Sequence, residues 1–168
     1  MIIMPGSKIF DEDGAEYTVC EFVGNGSFGN VYRIERDDNT EIFALKTLQI
    51  PFKHQDTLKA FMNEGSLATR ISHPNVIKYH YFHDGLKYTD LPPYIIMEYA
   101  EGGTLDGILE GRRRIGEFLT NDELKSCFIQ LIGGIEAVNE YLIHRDIKPD
   151  NTLITSEGLK ITDLDYQK

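Results

Sequence analysis

Apolar and polar side chains alternate along Asn30-Val31-Tyr32-Arg33-Ile34-Glu35 and again along Glu41 to Leu48, with the polar turn Asp37-Asp38-Asn39-Thr40 between them. The stretch Glu16 to Val23 is apolar-rich and runs into a glycine cluster. A period of two is the mark of a strand with one buried face, and short connections predict an antiparallel meander. From Asp56 to Ile71 the spacing changes: Leu58, Phe61, Leu67, Ala68 and Ile71 share one helical face with Glu64, and Ser72-His73-Pro74-Asn75 ends the segment. Val76 to Phe82 and Tyr94 to Tyr99 predict two further strands, joined by a polar link containing Pro92-Pro93. Gly102-Gly103 then breaks the chain. Thr120-Asn121-Asp122-Glu123 reads as a capping box. It opens a helix from Asp122 to Tyr141 whose stripe of Leu124, Cys127, Phe128, Leu131, Ile132, Ile135, Val138 and Leu142 predicts burial. A polar loop, His144 to Asn151, leads to two short strands, Thr152 to Thr155 and Leu159 to Thr162. No internal repeat is visible.

Composition narrows the class. The chain has 168 residues, 41% hydrophobic and 26% charged, an ordinary globular mixture that excludes a collagen-like or coiled-coil rod and a disordered tail. A chain of about 150 residues buries roughly 70% of its extended surface, enough for one real core. No apolar run approaches the ~18 residues that cross a bilayer, and Met1-Ile2-Ile3-Met4 is too short and lacks the basic start of a secretory leader, so no membrane association is expected. With 17 Lys and Arg against 27 Asp and Glu the net charge is −10, which argues against nucleic acid as a partner. The one basic run, Arg112-Arg113-Arg114, reads as a solvated helix face. Cys20 and Cys127 lie far apart and are expected as buried thiols in a reducing compartment, with the cytoplasm the default location.

Three segments carry chemistry. Gly24-Asn25-Gly26-Ser27-Phe28-Gly29 has the spacing GxGxxG, which by itself fits a dinucleotide fingerprint, a lid over phosphates or a plain hairpin turn. A dinucleotide loop must open a helix, whereas Asn30-Val31-Tyr32-Arg33-Ile34 reads as a strand. Lys46 sits in the apolar strand Phe43-Ala44-Leu45-Lys46, where an acid on a neighbouring helix could hold it, and Glu64 is placed for that. His144-Arg145-Asp146-Ile147-Lys148-Pro149-Asp150-Asn151 crowds a base candidate, two cations and an amide into one loop ahead of an apolar strand, and Asp163 follows 163 − 146 = 17 residues after Asp146. Carboxylate and amide oxygens are hard donors suited to Mg2+.

Taken together these residues resemble the eukaryotic-type protein kinase family from about Tyr17 to Asp165: the glycine loop with Val31, Ala44-Leu45-Lys46, Glu64, HRDIKPDN and Asp163. Lys148-Pro149 matches the serine/threonine form of the catalytic loop. His73-Pro74-Asn75 and Tyr94-Ile95-Ile96-Met97-Glu98-Tyr99 are similar to the family's segment after the first helix and its strand into the hinge. The resemblance implies an α+β fold with a five-stranded antiparallel N-lobe sheet and one helix over about 16–99, then the first part of a helical C-lobe over 100–168. It implies ATP and Mg2+ as cofactors and a protein Ser/Thr hydroxyl as substrate. Lys46 would contact the α- and β-phosphates under the glycines Gly24, Gly26 and Gly29, with Glu64 orienting it; Asp146 would accept or orient the substrate hydroxyl; Lys148 would balance charge at the γ-phosphate; Asn151 and Asp163 would hold Mg2+. Adenine would lie between Val23, Val31 and Ala44 on one side and Leu153 on the other, with Met97 as gatekeeper and the backbone of Glu98 and Ala100 bonding the base.

Two features depart from the family pattern. The usual DFG reads Asp163-Leu164-Asp165, which adds a side chain and a charge where glycine is usual. The sequence stops at Lys168, before the family's activation segment, whose phosphate Arg145 would meet. On this reading the helix from Asp122 exposes apolar surface, and the chain is expected to transfer phosphate poorly and to associate with itself or a partner. The competing expectation is a truncated nucleotide-binding or regulatory module with little or no transferase activity; a small-molecule kinase of related fold is a third and weaker one.

Overall fold

The computed structural model describes residues 3–25, 29–48 and 55–164, with side chains in the first helix described from Leu58. The chain divides into two compact units. Among the described residues the first holds those up to Arg70 together with Lys78–Tyr99, and the second holds Ile71–Ile77 and those from Ala100 onward.

The first unit is built on strands β1 (Lys8–Phe10), β2 (Glu16–Asn25), β3 (Asn30–Arg36), β4 (Ile42–Thr47), β5 (Tyr79–His83) and β6 (Tyr94–Glu98), with helix α1 (Gln55–Ala68). They form one six-stranded sheet of order β1-β2-β3-β4-β6-β5, antiparallel at every junction. The sheet has one strand more than the five expected. Lys8–Phe10 is too short to show a period, and its pairing with Glu16–Thr18 is what makes it a strand. The other expected strands form, but Val76 and Ile77 leave the fifth. Val76 instead makes a parallel bridge to Ile161, and the Ile77 amide donates to the Ile161 carbonyl at 2.9 Å.

Alternation explains the core. Tyr17, Val19, Tyr32, Ile34, Phe43 and Leu45 point to one face and are buried with Ile9, Leu91, Tyr94 and Ile96. Beyond Val19, β2 has register shifts and turns its side chains outward, leaving Phe22 and Val23 exposed. The sheet curls until β1 meets the β5–β6 side. The Tyr94 hydroxyl accepts from the Phe10 amide at 3.2 Å and donates to the Phe10 carbonyl, and the Tyr88 hydroxyl donates to the Asp11 carbonyl at 2.9 Å. Side-chain hydroxyls thus satisfy backbone groups at the end of β1 that no strand pairs. α1 packs on β5 through Gly65, where a Cβ would sit 2.2 Å from the Phe82 ring. Only glycine permits that approach, which brings Phe61 and Phe82 edge to face at 6.2 Å.

The second unit contains α2 (Leu105–Arg114), α3 (Asn121–Asn139) and the hairpin β7 (Thr152–Thr155) and β8 (Gly158–Ile161), preceded by a 3-10 turn at Pro149–Asn151. The arginine run marks a helix face in the sequence, but the extent of α2 is not legible there; Thr104 caps it, its hydroxyl accepting from the Gly107 amide at 3.1 Å. The arginine run forms its last turn: Arg113 and Arg114 are exposed, and Arg112 grips Glu123 at 2.7 and 3.0 Å. The capping box on α3 is made in both directions, Glu123 amide to Thr120 hydroxyl at 3.2 Å and Thr120 amide to Glu123 carboxylate at 2.8 Å. Arg112 first, and then Thr120, hold the Glu123 carboxyl down at about 2.

The burial that its period predicts for the α3 stripe is corrected, and the exposed apolar surface expected from the family resemblance is present. Val138 and Leu142 are buried, Cys127, Leu131 and Ile135 are half-buried, and Leu124, Phe128 and Ile132 are exposed. A helical period gives the direction of a face but not what covers it. α3 meets β8 closely at Gly134, where a Cβ would lie 2.6 Å from the Asn75 carbonyl and 2.9 Å from Ile161. Among the described residues the first two turns of α3 have no such cover, and Phe128 and Ile129 stand 61% and 72% exposed. Cys20 and Cys127, expected buried, are both half-exposed free thiols. No helix among the described residues is long and apolar enough to cross a membrane.

Candidate active site

In the first unit the glycine segment joins β2 to β3, and Asn25 pairs with Asn30 across the turn. A strand follows the loop, not a helix, which removes the dinucleotide reading. Gly24 has open space where a Cβ would stand, so no described residue crowds it. Gly26, Ser27 and Phe28 lie outside the described residues. Register places Val31 opposite Lys46 and Ala44 opposite Met97, with Phe43 opposite Glu98. Glu98 donates its amide to the Lys78 carbonyl at 2.8 Å.

β4 lies between β3 and β6, and Phe43 to Thr47 are all buried. Lys46 is therefore carried into the interior, where its charge needs a partner. Glu64 on α1 supplies it: the ammonium lies 2.9 Å from both carboxylate oxygens, and neither side chain is exposed. The Tyr79 hydroxyl donates to the same Glu64 Oε1 at 2.9 Å. The pairing of Lys46 with Glu64 was expected; Tyr79 was missed. Its position in an apolar strand reads as core, and no local signal gives the direction of its hydroxyl.

In the second unit the loop after α3 is folded around His144, which is buried. Its Nε2 bonds the Thr162 carbonyl at 2.8 Å and its Nδ1 accepts from the Asp146 amide at 3.3 Å. A carbonyl can only accept and an amide only donate, so these partners assign the proton to Nε2. Arg145, at φ 62°, and Asp163, at φ 55°, adopt the left-handed backbone that ordinary side chains avoid. Such conformations cost of order 1–3 kcal/mol and persist where the surroundings enforce them.

The loop brings Asp146, Lys148 and Asn151 together. Asp146 Oδ2 accepts from Lys148 Nζ at 2.8 Å and from Asn151 Nδ2 at 2.9 Å, and Asn151 Nδ2 also reaches the Asp146 carbonyl at 2.9 Å. The Lys148 bond, with Asn151 adding to it, holds the Asp146 carboxyl below its usual range, and Asp146 raises Lys148 in return. The β7–β8 register, Thr152 opposite Ile161, puts both ends of the hairpin together, and the Thr162 amide donates to the Asn151 carbonyl at 3.1 Å. Asp163 thus follows directly after the residue bonded to Asn151. With Asn151 Nδ2 committed to Asp146, Oδ1 is the donor atom it offers a metal. Among the described residues no cluster of three or more His, Cys, Asp or Glu could hold a metal ion. Mg2+ commonly needs only one or two protein oxygens, taking the rest from water and substrate phosphates, so the pair Asn151 and Asp163 fits it. Leu153 lies on β7, which pairs at Ile154 with Gly102 and Gly103, next to Ala100. Asp165 lies outside the described residues.

The protein kinase domain model matches residues 17–168. The chain belongs to the protein kinase domain family. It is 31% identical over 144 residues to the probable serine/threonine-protein kinase nek1 of Dictyostelium discoideum, covering 84% of this chain and 28% of that protein. It is 33% identical over 141 residues to the MAP kinase kinase kinase SSK2 of Saccharomyces cerevisiae, covering 82% and 8% respectively. It is 31% identical over 156 residues to the serine/threonine-protein kinase Nek8 of Danio rerio, covering 91% and 22%. The matched part therefore spans from 8% to 28% of the length of these relatives.

Proposed function

We propose that this kinase-family chain transfers the γ-phosphoryl group of ATP to Ser or Thr hydroxyls of a protein, with Mg2+. The observation that carries the reading is the network Asp146–Lys148–Asn151, three functional side chains tied into one loop. Lys148-Pro149 and the named relatives support the serine/threonine class. Two donors engage Asp146 Oδ2, so Oδ1 is the oxygen offered to a substrate hydroxyl. As that hydroxyl oxygen bonds to the γ-phosphorus, its proton passes to Asp146 and ADP leaves. Lys148 lies beside the base with a charge for the transferred group. Lys46, held by Glu64, is assigned to the α- and β-phosphates, beneath the loop of Gly24, Gly26 and Gly29. When bound, Mg2+ neutralises phosphate charge; Asn151 Oδ1 and the Asp163 carboxylate are the residues assigned to hold it. Val23, Val31, Ala44, Met97 and Leu153 are assigned to the purine. Glu98 is assigned a base contact through its carbonyl, because its amide serves Lys78, and Ala100 one through its amide.

Titration with Mg·ATP and a labelled-ATP assay on generic protein substrates test the reading. Incorporation onto Ser or Thr is expected. Nucleotide binding without transfer would favour the binding-module reading, and no nucleotide binding would reject both. The exposed Phe128, Ile129 and Ile132 on α3 support self-association, which light scattering on the purified chain tests. The acidic composition and two unpaired thiols support a cytoplasmic location, tested by fractionation.

A further inference from the structure

We propose that Tyr79 is a positioning residue for nucleotide binding, its hydroxyl fixing Glu64 and through it the ammonium of Lys46. The proposal rests on Lys46 being the phosphate-contacting lysine. Three elements meet at one carboxylate: β4 brings Lys46, α1 brings Glu64 and β5 brings Tyr79. Lys46 and Glu64 are fully buried and Tyr79 is 3% exposed. Lys46 and Glu64 are both long, flexible side chains, and a pair of them can shift together without losing contact. The tyrosine hydroxyl stands on a rigid ring packed in the sheet, and its bond to Oε1 at 2.9 Å ties the carboxylate to a third element. Bonds to an ionised acceptor are about twice as strong as neutral ones, and stronger in a dry site. A tyrosine present only for packing would not need its hydroxyl on the acid that holds the buried lysine of β4. α1 is also seated on β5 at Gly65 and Phe82, three residues along the strand from Tyr79. Helix position and lysine position are thereby set by the same strand.

The test is Tyr79→Phe, which keeps the ring and removes only the oxygen. Affinity for Mg·ATP should fall about three- to tenfold, less than the full worth of a hydrogen bond to a charged group because that bond is made without nucleotide too, while affinity for adenosine, which has no phosphates, stays unchanged. In a Lys46→Met background the same substitution should have no further effect on Mg·ATP. Mg·ATP affinity within twofold of the unaltered chain would overturn the proposal, and so would an equal loss for adenosine, the mark of a purely structural role. A Tyr79→Phe chain that does not fold, judged by its melting curve, would overturn it too. Failure of the unaltered chain to bind Mg·ATP at all would be distinguishable, because it removes the kinase reading itself.

Discussion

Two of the charged clusters of this molecule, one in each unit, are built from the same kinds of group and behave in opposite ways. In the first unit Lys46 and Glu64 are completely buried, 2.9 Å apart, with a tyrosine hydroxyl closing the arrangement. In the second unit Lys148 and Asp146 lie 2.8 Å apart with side chains 46% and 50% exposed. Breaking a buried pair leaves a charge stranded away from water, whereas an exposed pair is worth little to stability. The dry pair is therefore an anchor, costly to disturb in any state. The wet pair is free to exchange partners, as a group that must take a proton from an incoming hydroxyl requires. Substitution should separate the two: the same kind of change should reach the fold in one unit and only the chemistry in the other.

The largest effect is expected in the wet cluster, on rate alone. Asp146→Asn removes the base while keeping the shape, and transfer should fall by about 10²–10⁴, the usual contribution of a positioned base. Nucleotide affinity and melting temperature should hardly move. Loss of ATP binding in a folded Asp146→Asn chain would contradict this division of roles. Lys46→Met in the dry cluster should do both kinds of damage. Glu64 loses its counter-charge in the interior, a cost of about 3–5 kcal/mol, and nucleotide affinity should drop by about tenfold or more with the lost phosphate contact. Denaturant unfolding beside nucleotide titration checks it, and a Lys46→Met chain as stable as the original would mean that the pair is not an anchor.

A third change sharpens the comparison without touching charge. Gly65→Ala puts a methyl 2.2 Å from the Phe82 ring, at the contact that seats α1 on β5. Overpacking of this kind costs about 1–3 kcal/mol. Because α1 also carries Glu64, ATP affinity should fall alongside stability. Gly111→Ala on α2, where a Cβ meets open space, should cost nothing and provides the control. Equal unfolding midpoints for the two variants would show that α1 can shift freely on the sheet.

What could be read from the sequence follows from how local each signal is. β3 and β4 were legible because strands buried on alternate residues carry their own period, and the loop of Asp146, Lys148 and Asn151 because its members lie within six positions of one another. β1 is three residues long and exists only through its partner β2, so no pattern could show it. α2 begins on Leu105 but carries two glycines and three arginines, which blur its apolar face. Val76 and Ile77 look like strand residues and are buried like them, yet it is Ile161, far along the chain, that takes their place in pairing. Glu64 could be placed on the right face of α1 from spacing alone. Tyr79 could not be joined to it, because the bond spans fifteen residues and the direction of the hydroxyl is decided by packing.

The smallest expected effect distinguishes the units by pH. His83 on β5 is 1% exposed among Tyr81, Tyr88 and Tyr94, its ring centroid 4.6 Å from that of Tyr94. Its Nε2 lies 3.3 Å from the Tyr88 carbonyl, while among the described residues Nδ1 has no hydrogen-bond partner. Burial is the main cause that pushes its pKa below the usual 6.5; the Tyr88 carbonyl, Asp84 and the Leu91 backbone oppose it. A depressed folded pKa means that the unfolded chain binds the proton more readily. Stability from this group is therefore complete above pH 6.5 and declines as the pH falls below that value. Asp146 is also depressed, from 3.8, so its own contribution disappears only in much stronger acid. Mild acidification, from pH 7.5 to 5.5, should thus weaken the first unit and leave the Asp146 cluster charged. The expected drop in melting temperature is small, and His83→Phe, which fills the aromatic cluster without a titrating nitrogen, should reduce its pH dependence to the part carried by His80 on the same strand, whose pKa burial and Lys78 also lower. A slope unchanged by that substitution would assign the acid sensitivity to other groups and leave His83 a packing residue.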